Sequence, residues 1–393
     1  MSGLFAALLL RRKGFDVEIF ERSTADLEGR GAGIVTHPEL FTILQRAGID
    51  VAPTDLGVHV EGRRILDAQG DIIAETAYPQ VLTSWGRLYA ELKAALPKFT
   101  LNSGAALDYV DVQDDHVTAH FADGRSATGD LLIGADGLFS AVRKQFLPDI
   151  VPLYSGYVAW RGLVEEAELS RSARAAICNH FVFCLPKSEQ MLGYPVSGAN
   201  ETVIQGQRRF NFVWYRPAAS TQLQDMLTDV HGQTHSLSIP PHNIRPEILK
   251  DMRASASALL APAFAEAVLK TPLPFVQSIV DVKTPTMRPE NRIALIGDAA
   301  FVARPHVGAG ITKAAADADA LATALDRHMR LDDALDAFDA IRRPINSAIV
   351  DHARNLGAYM QVQLLSDHER ALAEAHRKPE AVIRETAVPF AMP

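Results

Sequence analysis

Two neighbouring stretches decide the reading of this chain: Arg292-Ile-Ala-Leu-Ile-Gly-Asp298-Ala-Ala300, and Pro305-His306-Val307-Gly308-Ala309-Gly310 just beyond it. Unbroken apolar residues between Arg292 and Gly297 read as a strand buried on both faces, the style of a parallel sheet. Asp298 stands at the strand's exit, where a carboxylate taken out of water must meet a hydroxyl or a cation. The glycine loop then enters an alanine-rich helix, predicted from about Gly310 to Arg327. The partly positive N-terminus of that helix could face an electron-rich ring. A plain helix cap remains the alternative for this stretch taken alone.

Two more constellations precede it. Leu131-Leu-Ile-Gly-Ala-Asp136-Gly137 repeats the pattern of buried strand and acidic turn, with Ser140 and Arg143 close behind. An Asp-Gly pair lets the backbone pass close to a ligand while the carboxylate anchors the turn. It is equally an ordinary turn. At the beginning, Ser2-Gly3 opens an apolar helix ending near Gly14, and Asp16-Val-Glu-Ile-Phe-Glu21 alternates like a strand. A dinucleotide fold needs a glycine where helix packs on strand and an acid ending the second strand. Gly3 and Glu21 stand in those places.

Composition bounds the rest. The 393 residues are 48% hydrophobic and 22% charged, which excludes a disordered tail, a collagen-like chain and a disulfide scaffold. The 39 basic residues are outnumbered by 47 acidic ones and scattered in pairs such as Arg63-Arg64, so nucleic acid is not an expected partner. The longest clean apolar run, Leu4 to Leu10, is too short to span a bilayer, and its basic residues follow it, unlike those of a signal peptide. With only Cys178 and Cys184, the chain is expected to be cytoplasmic. No metal site is expected, because Cys178, His180 and Cys184, or His231 and His235, lack a ligand spacing.

Along the chain, Val58 to Ala77 reads as a hairpin, Trp85 to Leu96 as a helix, and Ala106 to Ile133 as a three-stranded meander. From about 155 to 285 the style changes to aromatic strands: Tyr157–Val164, His180–Leu185 and Phe210–Tyr215. A helix near Ser255–Leu269 follows, and the last sixty residues are helical in pattern apart from Pro344. Such aromatic strand positions serve a core more often than a ligand.

With these residues in view, the chain resembles the class A flavoprotein aromatic hydroxylases, those with the para-hydroxybenzoate hydroxylase fold, over essentially its whole length. Ser155-Gly-Tyr157-Val-Ala-Trp160-Arg161-Gly162, Asn211-Phe-Val-Trp214-Tyr215 and Ala303-Arg304-Pro305-His306 carry the likeness alongside the three constellations. The resemblance implies an α/β fold with an α+β insert: a Rossmann-like FAD-binding domain interleaved with a mainly antiparallel substrate sheet, then a helical C-terminal region. The implied boundaries are 1–72, 98–165 and 286–330 for FAD, 73–97 and 166–285 for substrate, and 331–393 for the helices. FAD is the implied cofactor, with NADH or NADPH and O2 as co-substrates, a small aromatic or hydroxypyridine ring as substrate, and a possible homodimer as assembly. The ring would be hydroxylated through a flavin C4a-hydroperoxide.

By the same likeness, Gly3 is the last glycine of the FAD fingerprint with Ser2 beside it, Glu21 holds the adenosine ribose, and Arg22 follows. Asp136 and Gly137 serve FAD and NAD(P)H, Asp298 binds the ribityl chain, and Pro305, Gly308, Ala309 and Gly310 line the flavin ring. His306, Tyr157 and Tyr215 are the catalytic candidates. His306 reads as an acceptor of the substrate proton, with an ordinary pKa near the working pH, or as a structural residue. Two departures stand out. Trp85 replaces an arginine that often touches FAD, with Arg87 as its expected substitute. Met1 falls inside the phosphate loop, so the first strand is expected upstream of it. A flavin-dependent halogenase and a flavin-free binding protein are the rival readings; the Trp-x-Trp-x-Ile-Pro segment of the halogenases is missing here.

Overall fold

A computed structural model describes residues 1–25, 27, 33–98, 100–362, 364 and 366–389. Among them, the largest sheet has nine strands, in the order Phe301–Val302, Phe275–Lys283, Leu153–Glu165, Arg209–Pro217, Gln190–Val196, Phe181–Cys184, Val58–Leu66, Ile72–Ser84 and Gly33–Val35. Its neighbours pair antiparallel except at the contact of Phe181–Cys184 with Val58–Leu66. The nucleotide side holds two parallel ribbons, Ile19–Glu21 with Leu101–Ser103 and Ile293–Leu295 with Leu132–Gly134. The expected meander is the sheet Leu107–Val112, Val117–Phe121, Ser126–Gly129.

Alternation along the strands builds two cores on the nine-stranded sheet. One face presents Val158, Trp160, Phe210, Phe212 and Trp214 to the helices Arg171–Ile177, Pro246–Leu259 and Pro262–Lys270. The other presents Tyr157, Ala159, Phe181, Phe183, Tyr194, Val213 and Tyr215, packed with Tyr359 and Met360 from the C-terminal region. A third core joins the leading helix Ser2–Arg12 to the helix Gly310–Arg327. Leu4, Phe5, Leu8 and Leu9 on the first meet Ala315, Ala318 and Ala322 on the second, and alanines let the backbones approach closely.

The structure redraws several sequence expectations. The strands Val58–Leu66 and Leu153–Glu165, placed by sequence with the nucleotide domain, are hydrogen-bonded members of the nine-stranded sheet. The helix expected at 255–269 is two helices, Pro246–Leu259 and Pro262–Lys270. Pro262 is the reason, since the residue before a proline is pushed out of the helical region. Pro344 does the reverse of what was expected: the helix Leu331–Gly357 runs through it. A proline inside a helix costs about 3 kcal/mol. Here buried Phe338, Val350 and Ala353, with Arg342 and Asn346 bound to Asp317, hold the helix together on both sides. The expected strand from Asp16 shortens to Ile19–Glu21.

Gly62, in the strand Val58–Leu66 beside an irregularity in pairing, shows how tightly the sheet is built. A Cβ there would overlap the carbonyl oxygen of Thr76 on the neighbouring strand. Gly62→Ala is therefore expected to cost about 1–3 kcal/mol, the usual scale of overpacking, read from the midpoint of urea unfolding. An unchanged midpoint would mean that the two strands part freely here.

Candidate active site

The parallel pairing of Ile293–Leu295 with Leu132–Gly134 brings two acidic turns side by side. Gly134 packs closely here: a Cβ would lie 2.7 Å from Leu295 Cδ2 and 3.2 Å from Val142 Cβ. Asp136 Oδ2 accepts hydrogen bonds from the N–H groups of Ala141 (2.7 Å) and Val142 (3.3 Å), capping the short helix Ala141–Phe146. Its Oδ1 is buried without a partner. Arg143, nearly buried, links the two turns by donating to the carbonyls of Leu138, Asp298 and Ala299. Gly137 has a φ of +78°, which favours glycine, and nothing lies within 4 Å of where its Cβ would be.

The Asp298 turn rests on a carboxylate that sequence reading missed. Asp317, fully buried, accepts from Gly297 N (3.0 Å), Arg342 Nε (2.8 Å) and Asn346 Nδ2 (2.8 Å). Asp298 itself keeps its carboxylate half exposed, with Lys313 Nζ 3.7 Å away. Lys313 is buried and makes no hydrogen bond among the described residues. Gly297, at φ +62°, abuts Ser2, and Gly3 packs on Ala135, so the leading helix closes over both turns. Asp298 and Glu21 both act electrostatically on the Met1 amine.

Beyond Asp298, Pro305–Val307 forms one tight turn, Gly308 takes φ +63°, Ala309 caps, and Gly310 opens the long helix with open space over its Cα. His306 is buried against the nine-stranded sheet. Its Nε2 lies 2.8 Å from Tyr157 Oη, and its ring centre lies 4.2 Å from that of Tyr215. The ring of Tyr215 meets Tyr157 edge-on at 6.1 Å. Nδ1 of His306 has no partner. The three catalytic candidates therefore touch one another, and with the flavin-loop candidates they occupy one region.

Burial sets the protonation of this group. It pushes His306 down to about 3, with the Arg304 guanidinium adding to the effect. The sequence expectation of an imidazole titrating near neutral pH is thus corrected: the side chain is neutral there. Burial pushes Tyr157 up to about 12 and Tyr215 further in the same direction, so both stay phenols. Arg304 is itself held by Asp281 (2.9 Å), which also receives Arg354.

Other predicted residues are placed less tellingly. Glu21 Oε1 accepts from Ser23 N (2.9 Å), closing its own turn, and Arg22 is exposed. Arg87 pairs with Glu91 one turn along its helix (2.6 Å), while its Nε is buried without a partner. Cys178 and Cys184 are separately buried free thiols, one ending a helix and the other on a strand. Arg63 was missed altogether. Fully buried, it donates to Gln80 and to the carbonyls of Ile383, Thr386 and Ala387, and Ala387 N in turn donates to the His306 carbonyl (2.7 Å). Only its place beside Arg64 was noticed in the sequence, and a buried, carboxylate-free arginine leaves no pattern there.

Comparison with known proteins agrees with this geometry. The family described as FAD binding domain-like matches residues 154–281. The 2,6-dihydroxypyridine 3-monooxygenase of Paenarthrobacter nicotinovorans is 30% identical, over 92% of this chain and 89% of its own. The solved structure of 2,6-dihydroxypyridine-3-hydroxylase from Arthrobacter nicotinovorans superposes with a TM-score of 0.85, covering 92% of this chain and 90% of that one. The chain belongs to the class A FAD-dependent aromatic hydroxylases. A 6-hydroxynicotinate 3-monooxygenase from Bordetella bronchiseptica is 28% identical over 86% of this chain and 83% of its own. This hydroxylase is an FAD- and NAD(P)H-dependent aromatic monooxygenase. Its residues fit the cofactor: open backbone at Gly137 and Gly310, an unpaired buried oxygen on Asp136, and a half-exposed carboxylate on Asp298 suit a ligand rich in hydroxyls and phosphates.

The depressed pKa of His306 makes the hydroxylase's stability depend on pH. Between about pH 6.5 and about 3 the unfolded chain binds a proton at this position and the folded chain does not. Stability therefore falls as pH falls through that window, by about 1.4 kcal/mol per pH unit for one such group. His37, pushed down to about 4 by burial and then by Arg63, acts in the same direction. His306→Gln is expected to remove one group's share of the slope when urea midpoints are plotted against pH. An unchanged slope would show that His306 ionises in the folded protein.

Proposed function

We propose that this hydroxylase acts on a small ring already bearing an ionisable oxygen, a hydroxypyridine or a hydroxybenzene, in a reducing compartment such as the cytoplasm. The carrying observation is the wall of Tyr157, Tyr215 and His306, buried and neutral, standing where the glycine loop enters the long helix. Relatives whose names specify a dihydroxypyridine and a hydroxynicotinate support the ring class. The free thiols Cys178 and Cys184 support the compartment.

Asp298 would hold the ribityl hydroxyls, Ser2, Gly3, Glu21 and Arg22 the adenosine diphosphate portion, and Asp136, Gly137 and Arg87 the cofactor's remaining polar edge. Pro305, Gly308, Ala309 and Gly310 would lie along its ring. When bound, reduced FAD activates O2 and supplies one oxygen atom to an electron-rich ring carbon. The chain's own part is to exclude water and orient the ring, which the apolar, aromatic wall suits. His306 and Tyr157 share one proton position between Nε2 and Oη, while Nδ1 is buried without a partner among the described residues. With His306 pushed to about 3 and Tyr157 to about 12, neither takes up a substrate proton at neutral pH. The reactive form is the ring with its oxygen ionised, whose ortho and para carbons are electron-rich, so the new hydroxyl enters at one of them.

Two outcomes test this reading. Asp298→Ala is expected to weaken FAD about ten- to a hundredfold, the scale of a lost charge-assisted hydrogen bond, measured by flavin release during dilution. Retained affinity in a folded variant would take Asp298 off the cofactor. His306→Ala is expected to slow hydroxylation by about tenfold, below the 10²–10⁴ of a lost general base, while diverting NAD(P)H consumption to hydrogen peroxide. The wild-type rate is expected to show no ionisation near 6.5 that the variant loses. Such an ionisation would restore His306 as the proton acceptor, and a meta-hydroxylated product from a hydroxypyridine panel would overturn the reaction itself.

A further inference from the structure

Among the polar side chains on the tyrosine-bearing face of the nine-stranded sheet, three stand together, two of them with donors to spare. Arg161 is directly opposite Val213 and so diagonal to Asn211, and Asn211 is directly opposite Tyr194. Directly opposed residues share a face, at about 5 Å, and diagonal ones lie about 7–8 Å apart, within reach of long side chains. The three therefore form one patch, on the face that carries Tyr157 and Tyr215.

Two members have a buried donor without a partner among the described residues. Arg161 is half-buried and meets no carboxylate within 4 Å among the described residues. Its Nε is buried without a partner, and its NH1 reaches Gln277 Oε1 only at 3.5 Å. Arg208, Arg304 and Arg342, by contrast, each meet a buried carboxylate at 2.7–2.9 Å. Asn211 is pinned by Gly33 N, which donates to its Oδ1 (3.1 Å) and so fixes the amide with Nδ2 turned away, buried and unpaired. Gly33 packs directly over Tyr194 and Asn211; a Cβ there would lie 2.5 Å from the Tyr194 ring. Tyr194 is buried, its ring packed against that of Phe181 at 4.9 Å. Burial pushes it up to about 12, so it remains a donor, and Arg161 acts electrostatically on it and on Tyr215.

The Nε of Arg161 and the Nδ2 of Asn211 are thus two buried donors without an acceptor among the described residues, and the phenol of Tyr194 stands directly opposite Asn211. Native structures rarely tolerate that without a ligand. We propose that Arg161, Asn211 and Tyr194 are the specificity determinants of this hydroxylase and receive an anionic oxygen of the substrate ring. The inference rests on the reading of this face as the ring's binding wall, and it names what the ring must carry: negative charge at the edge facing Arg161. It also meets a need of the reaction. A cation without a carboxylate partner favours the ionised form of a ring oxygen over the neutral one, and the ionised ring is the more nucleophilic.

The anionic oxygen is either an ionised ring hydroxyl or a ring carboxylate, and calorimetric titration of the FAD-loaded protein separates them. Three probes of similar size serve: an ionised hydroxypyridine, a pyridine carboxylate without hydroxyls, and a neutral methoxypyridine. Arg161→Met is expected to weaken at least one anionic probe by tenfold or more and the methoxypyridine by less than threefold. Loss confined to the first probe assigns the ring oxide, and loss confined to the second assigns the carboxylate. Arg161→Lys, which keeps the charge and guards against a folding defect, is expected to retain the preference for anions. Equal losses for charged and neutral probes, or no loss in FAD-loaded Arg161→Met, would overturn the inference. A wild type that hydroxylates neutral rings as readily as charged ones overturns it too, while leaving the monooxygenase reading intact. Arg161-dependent anion binding without stimulated NAD(P)H oxidation would uphold it and remove the chemistry instead.

Discussion

The Asp317 carboxylate ties together more of this molecule than any apolar contact described above. It receives the backbone of Gly297, the guanidinium of Arg342 and the amide of Asn346, and sits one turn from Lys313. Through those bonds one buried charge fixes three things: the turn presenting Asp298, the helix Gly310–Arg327 and the helix Leu331–Gly357. Breaking a buried pair of this kind typically costs about 3–5 kcal/mol, because the remaining partner keeps its charge and loses its solvation. The helix Leu331–Gly357 is therefore joined to the Asp298 turn by electrostatics as well as by packing.

That dependence explains what was legible in the sequence. Local signals were strong at the strand-exit turns, since Asp136-Gly137 and Gly297-Asp298 each combine an apolar run with a glycine at positive φ. The long alanine helix was visible from end to end, because its caps and its small buried face lie within one continuous segment. The meander likewise declared itself through alternation and the Asp123-Gly124 turn.

What was not legible came from partners distant in sequence. Asp317 lies in plain view in its helix, yet its bonds to Arg342 and Asn346 span 25 and 29 residues, and no periodicity announces them. Arg63 reaches residues more than 300 positions away. Helix continuity through Pro344 is a tertiary effect overriding a local rule. The neutrality of His306 arises from burial, which a pKa taken from the isolated side chain cannot supply. The candidate site was thus readable as a set of residue types, while its protonation required the fold.

The two faces of the nine-stranded sheet have a consequence for how such proteins diversify. Neighbouring residues on a strand point into different cores: Trp160 and Trp214 toward the helices, Arg161 and Tyr215 toward the wall of tyrosines. A substitution at an odd-numbered position of Tyr157–Arg161 or Asn211–Tyr215 leaves the packing of the helices Arg171–Ile177, Pro246–Leu259 and Pro262–Lys270 on the opposite face untouched. Selection can therefore act on the wall one side chain at a time without first finding a compensating change behind it. A scaffold wired this way can shift its preferred ring by single mutational steps while its architecture is inherited whole.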